Sequence, residues 1–122
     1  FDFESVREEV EQLAGGTPEE AFEREWARGV FAMALERLRL EFGLRGRAEH
    51  VALLEQYDLA DERPTYAQLA QRFGIAVTDV TNRLSRTRSA LRRVTLEVLR
   101  ELTASDEEFR EEARALLGEV PR

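Results

Sequence analysis

TYAQLAQRFGIAVTDVTNRLSRTRSALRR, Thr65–Arg93, reads as a short helix, a glycine turn and a longer helix rich in arginine. Pro64 biases Arg63 away from helical angles, and Thr65 is placed to cap a helix over Tyr66–Phe73. Gly74 supplies the positive backbone angle that a tight turn often requires. Thr78 is expected to cap the second helix, which runs to about Leu102. In this pairing Leu69, Ala70 and Phe73 face the core, and Ala70 is small because the two helices cross closely there. Ile75 plugs the corner, while Val80 and Leu84 pack the second helix down. Two helices joined in this way form a helix-turn-helix, whose second helix can lie in a DNA major groove.

Charge is distributed unevenly around this segment. From Val80 to Arg93 there are five arginines and no acid, whereas the whole chain carries a net charge of -7. Residues 1–63 hold sixteen acids against eight arginines, and residues 101–120 hold seven acids against Arg110 and Arg114. Local charge decides where a phosphate settles, and global charge mainly sets solubility and non-specific binding. All eighteen basic side chains are arginine, which suits bidentate pairing with phosphate and guanine. A solvated helix face usually alternates sign, so an arginine run without acids points to a polyanion more than to plain surface.

On the first three turns of the second helix the outward residues are Asp79, Thr81, Asn82, Arg83, Ser85, Arg86 and Ser89. This end of a recognition helix reaches base edges. Asparagine can pair bidentately with adenine, arginine with guanine, and the threonine methyl can meet a thymine methyl. Arg83, Arg88, Arg92 and Tyr66 are better placed to flank the groove and hold phosphates, which positions a protein without reading sequence. Asp79 stands at the same end, where a carboxylate repels phosphate unless it accepts a cytosine amino proton.

The rest of the chain is also helical in pattern. Residues 4–14 form a candidate short helix with Val6, Val10 and Leu13 on one side, so residues 1–16 read as a linker or short leading helix and 17–122 as one domain. Thr17-Pro18-Glu19-Glu20 is a capping-box start for a helix to about Phe42, with Phe22, Trp26, Val30, Met33, Ala34, Leu38 and Phe42 at helical spacing. Phe31 and Leu35 widen that stripe, which predicts burial on more than one side, with Trp26 and Phe22 in the core. Gly43 and Gly46 bracket a break, and a helix over about 46–57 carries Val51, Leu54 and Tyr57. Asp58–Pro64 reads as a polar loop, and a capping box at Ser105–Glu108 opens a last helix with Phe109, Ala113, Leu116 and Leu117 on one face. The expected fold is all-α, with about five to six helices and no strand.

Several chemistries are set aside by composition. With no cysteine there is no disulfide and no thiolate metal site, and His50 is the one histidine, so no histidine cluster exists. The glutamate runs read as solvated faces or helix-start charges rather than converging metal ligands. No Gly-rich phosphate loop or nucleophile elbow occurs, so neither enzyme activity nor a cofactor is expected. No apolar run approaches the roughly 18 residues of a membrane span and no signal-peptide pattern opens the chain, so a cytoplasmic protein without a membrane partner is expected. The chain opens at Phe1 rather than Met, as a piece of a longer protein would.

Thr65-Tyr66-Ala-Gln-Leu-Ala-Gln-Arg-Phe-Gly-Ile, followed by Asp79-Val-Thr-Asn-Arg-Leu-Ser-Arg-Thr-Arg-Ser-Ala-Leu-Arg-Arg, resembles region 4 of bacterial RNA polymerase sigma factors of the extracytoplasmic-function type. That group's helix carries the pattern V-x-S-R-L-x-R-A-R-x-x-L. The likeness extends to Thr17–Ala27, Ala34–Leu38, Gly46-Arg47 and the acidic stretch Asp106–Leu117, which are similar to a large subgroup of these factors. Asn82 replaces the common serine, Thr87 the usual alanine, and Asp79 departs from the pattern, which bears on promoter sequence more than on fold. The resemblance implies recognition of the promoter -35 element in double-stranded DNA and docking on the β-subunit flap of RNA polymerase. It implies that Thr81, Asn82, Ser85 and Arg86 face bases and that Tyr66, Arg83 and Arg88 approach the backbone. Region 2, which melts DNA, has no counterpart here, so this chain alone is not expected to start transcription. A second reading keeps the fold and gives the arginine face a protein partner, such as an anti-sigma factor or an acidic arm of its own chain. The first 20 residues and the acids of 106–112 are available for such masking.

Overall fold

A computed structural model describes residues 16–118 of the protein, so the leading helix expected over 4–14 lies outside the described residues. Five helices follow one another: α1 (Pro18–Leu44), α2 (Ala48–Asp58), α3 (Tyr66–Phe73), α4 (Val77–Leu102) and α5 (Asp106–Leu117). The described residues contain no strand, and the fold is all-α. None of these helices is long and apolar enough to cross a membrane.

α4 is the hub, packing against each of the other four helices. Its buried row is Val80, Leu84, Thr87, Leu91, Val94, Thr95, Val98 and Leu99, so one helix face supplies the centre of the core. Thr87 and Thr95 are fully buried, and a buried hydroxyl without a partner costs about 1–3 kcal/mol. Each is satisfied within its own helix: Thr87 Oγ1 donates to the Arg83 carbonyl at 2.6 Å and Thr95 Oγ1 to the Leu91 carbonyl at 2.7 Å. Thr87 therefore sits in the core without needing a polar neighbour. Leu102, the last residue of the helix, is exposed.

The local chemistry of the starts and stops is mostly as the residues predict. Thr17 Oγ1 accepts the Glu20 amide and the Glu20 carboxylate accepts the Thr17 amide, with Pro18 in the first turn. Thr65 and Gln68 make the same reciprocal pair at 3.1 and 2.9 Å. Gly74 closes α3 at φ 66°, ψ 38°, and the Ile75 amide bonds back to the Ala70 carbonyl at 3.0 Å.

Four expectations need correction. Thr78 does not cap α4; Ala76 holds that position, and because alanine has no acceptor only Asp79 contributes, its Oδ2 accepting the Ala76 amide at 3.3 Å. At α5 the Ser105 hydroxyl accepts the Glu108 amide, but the Glu108 carboxylate reaches the Ala104 amide rather than closing the box on Ser105. Gly43 does not break α1, which continues to Leu44; the turn comes at Arg45-Gly46-Arg47, where the Arg47 amide bonds the Phe42 carbonyl at 2.7 Å. Finally, α1 is fully buried only through Ala27, Val30, Ala34, Leu38 and Phe42, with Phe31 and Leu35 partly buried against the core beside them. Phe22 is exposed, and Trp26 is half-buried with its Nε1 donating to Glu112 of α5.

Candidate nucleic-acid interface

The Gly74 turn sets α3 and α4 so that the first turns of α4 project their polar side to solvent. Thr81, Asn82, Ser85 and Arg86 are all exposed on that side, and Arg83 is half-buried beside them. Asn82, Ser85 and Arg86 make no hydrogen bond within the described residues, while the Thr81 hydroxyl donates to the Val77 carbonyl at 3.3 Å. Among the described residues neither Arg83 nor Arg86 forms an ion pair. Asp79 shares this end, and its cap on Ala76 gives the carboxylate a structural reason to be there.

The other arginines of the row have partners within the chain, Arg93 while remaining exposed. Arg88 Nε donates to Asp58 Oδ2 at 2.7 Å and Nη2 to Oδ1 at 2.8 Å, a bidentate pair around a carboxylate that is 4% exposed. The hydrogen bond to Asp58 raises the proton affinity of Arg88 well above its ordinary value; burial opposes this, and the Asp58 charge and Tyr66 reinforce it. Arg63 Nη2 lies 3.9 Å from the same carboxylate, with its guanidinium 4.5 Å over the Tyr57 ring. Tyr57 and Tyr66 meet edge to face, centroids 5.0 Å apart. Arg93 donates to both oxygens of Glu41 at 2.8 Å and to Glu97 at 2.9 Å. Arg92 is half-buried and interacts within the fold.

This revises the sequence picture. Acids do oppose part of the arginine row: Asp58 from α2, Glu41 from α1 and Glu97 from further along α4. Tyr66 and Arg88, expected at the DNA backbone, join Tyr57, Asp58 and Arg63 in a cluster that ties α2 and the 59–65 connection to α3 and α4. Within the row, the arginines without an ion pair among the described residues, Arg83 and Arg86, lie in the N-terminal part of α4. The acids of α5 remain at the opposite end of α4, with Asp106 on Arg100 and Glu112 on Trp26.

Residues from α2 extend the open surface. His50, in the first turn of α2, is half-buried with its ring edge-on to Phe42 at 6.1 Å. Burial holds its imidazole below the ordinary value, and the charges of Arg83, Arg47 and Arg86 act in the same direction against Glu49. The charges of all three guanidiniums thus reach His50 at the start of α2, where Arg47 is exposed. No local signal marks Arg47 or His50, because their relation to α4 is purely tertiary. Asp58 did carry one: an acid in the last turn of a helix faces the negative end of the helix dipole and needs a cation to offset it.

Among the described residues no group of three or more histidine, aspartate or glutamate side chains is arranged to hold a metal ion. Compared with known proteins, the chain matches no family model, no curated protein and no solved structure.

Proposed function

We propose that the domain recognises promoter DNA as region 4 of an extracytoplasmic-function sigma factor does, reading a -35-like element while a further face docks on the β-subunit flap of RNA polymerase. The observation that carries this reading is the division of the arginine row. Arg83 and Arg86 stay uncommitted next to exposed Thr81, Asn82 and Ser85, while Arg88 and Arg93 are locked to acids. A row serving only as solvated surface has no reason to leave its unpaired members at the end where a recognition helix meets base edges.

In this reading the N-terminal turns of α4 enter the major groove. The Asn82 amide pairs with the N6 and N7 edge of an adenine, the Arg86 guanidinium with O6 and N7 of a guanine, and the Thr81 methyl packs on a thymine methyl. Arg83 and Arg47 contact phosphates on either side. The cluster around Asp58 and Arg88 is the brace that holds α3 and α4 at the required angle, so its work is orientation. The proposal includes no catalysis and no cofactor.

Fewer free arginines lower the salt dependence. Each phosphate neutralised contributes about -0.9 to the slope of log affinity against log salt, so contacts from Arg83 and Arg47 give about -2, against about -3.6 for four contacts. Fluorescence anisotropy on a labelled duplex across a salt series measures this directly. A slope near -4 would mean that Arg88 and Arg92 leave their partners to grip DNA, and no binding at low salt would contradict the reading and favour an acidic protein partner. His50 supplies an independent probe. A phosphate settling beside Arg47, Arg83 and Arg86 screens the charges that depress its imidazole, so its titration midpoint, followed by proton NMR, rises when duplex is added. An unchanged midpoint would place the phosphates elsewhere.

A further inference from the structure

α1 carries a second apolar row that is exposed among the described residues. Phe22 is 72% exposed, Met33 42%, Leu40 66% and Leu44 81%. At 3.6 residues per turn Met33, Leu40 and Leu44 lie about three, five and six turns beyond Phe22, so the four side chains form one stripe along the helix. It runs beside the core-facing row and spans nearly the whole of α1.

The stripe is symmetric about Met33. Phe22 and Leu44 are equidistant from it in sequence, as are Trp26 and Leu40, and Gly29 and Arg37. A helix laid antiparallel on a copy of itself with Met33 at the dyad therefore sets Phe22 against Leu44 of the second copy and Trp26 against its Leu40. Gly29 lies opposite Arg37 of the second copy, whose guanidinium is tied to Glu101 of its own α4, and a Cβ built at Gly29 meets nothing within 4 Å, so the pair is sterically open there. A two-fold interface requires this self-complementarity, in which residue i meets residue j and j meets i.

Charge and area agree with the same arrangement. Acids Glu19 and Glu23 stand near the start of α1 and Arg45, 3.4 Å from Glu41, just past its end, so antiparallel pairing brings the acidic start of each copy toward a cation of the other. The four exposed side chains present roughly 450 Å² of apolar surface per chain, or about 900 Å² for a pair, before the flanking stems are added. Those stems carry the total toward the roughly 1,200 Å² at which stable interfaces begin.

We infer that α1 is the interface of a two-fold symmetric homodimer, its Phe22–Leu44 stripe pairing antiparallel with that of a second copy. Sedimentation velocity of the full chain over a concentration series gives twice the single-chain mass. Leu40→Glu, a change on exposed surface, returns the mass to a single chain while the circular dichroism spectrum stays helical. The chain has no cysteine, so Met33→Cys introduces a lone thiol at the dyad. That variant forms a disulfide-linked dimer on mild oxidation. Phe22→Cys does not, because its two copies lie about 33 Å apart along the pair. A single-chain mass at every concentration, a Leu40→Glu variant that stays dimeric, or cross-linking of Phe22→Cys as readily as Met33→Cys overturns the inference.

Discussion

Replacing Arg88 by alanine is expected to lower the stability of the domain by about 3 kcal/mol, with urea unfolding followed by circular dichroism as the readout. The reason lies in what remains. Asp58 is 4% exposed, and Arg88 supplies both of its short hydrogen bonds. Without Arg88 a carboxylate stays out of water with Arg63, at 3.9 Å, as the remaining ion-pair partner among the described residues. Breaking a buried pair in this way costs about 3–5 kcal/mol, and the residual help from Arg63 places the expected value at the lower end. Arg88→Lys keeps the charge but not the two parallel donors, and it should recover only part of the loss. Asp58→Leu combined with Arg88→Met removes both charges and should cost far less than either single change. The alternative role for Arg88, a phosphate contact, makes the opposite forecast: Arg88→Ala would then leave the unfolding midpoint almost unmoved and weaken DNA binding instead.

Much of the fold is legible in local chemistry. Thr65, Gln68 and Gly74 specify the start and end of α3 through bonds no more than five residues long, and such contacts need no knowledge of the rest of the chain. The periodic row Val80, Leu84, Leu91, Val94 and Val98 likewise announces the buried face of α4. Long-range partners were not legible. Asp58 and Glu41 lie 30 and 52 residues from the arginines they hold, so the row looked uniformly unopposed when read along the chain. Phe22 was assigned to the core because periodicity records that residues share a face without saying which face is covered. Its row proved to be offset from the Val30, Ala34 and Leu38 row that meets α4. Thr78 failed as a cap because Asp79, one position on, already satisfies the Ala76 amide.

The second large effect concerns Arg86. Arg86→Glu should leave the unfolding midpoint within about 0.5 kcal/mol of the parent, because the side chain is exposed and holds no ion pair among the described residues. DNA affinity should fall by about 100-fold or more. A bidentate arginine–guanine pair is worth about 1–3 kcal/mol, and a carboxylate in its place adds repulsion from the guanine acceptors and the nearby phosphates. Anisotropy titrations on matched and mismatched duplexes separate base reading from phosphate holding. Arg86→Ala should relax discrimination at one base pair, whereas Arg83→Ala should weaken every duplex about equally and reduce the salt slope by about 1. Equal losses on all sequences for Arg86→Ala would make Arg86 a phosphate contact and move base reading to Asn82 and Thr81.

Selection from a random duplex library with the full chain is the measurement that tests the central claim most directly. The account predicts enrichment of a short motif with a guanine whose contribution disappears in Arg86→Ala and an adenine whose contribution disappears in Asn82→Ala. Recovery of no motif, or of a motif untouched by either change, would contradict a reading head at the start of α4.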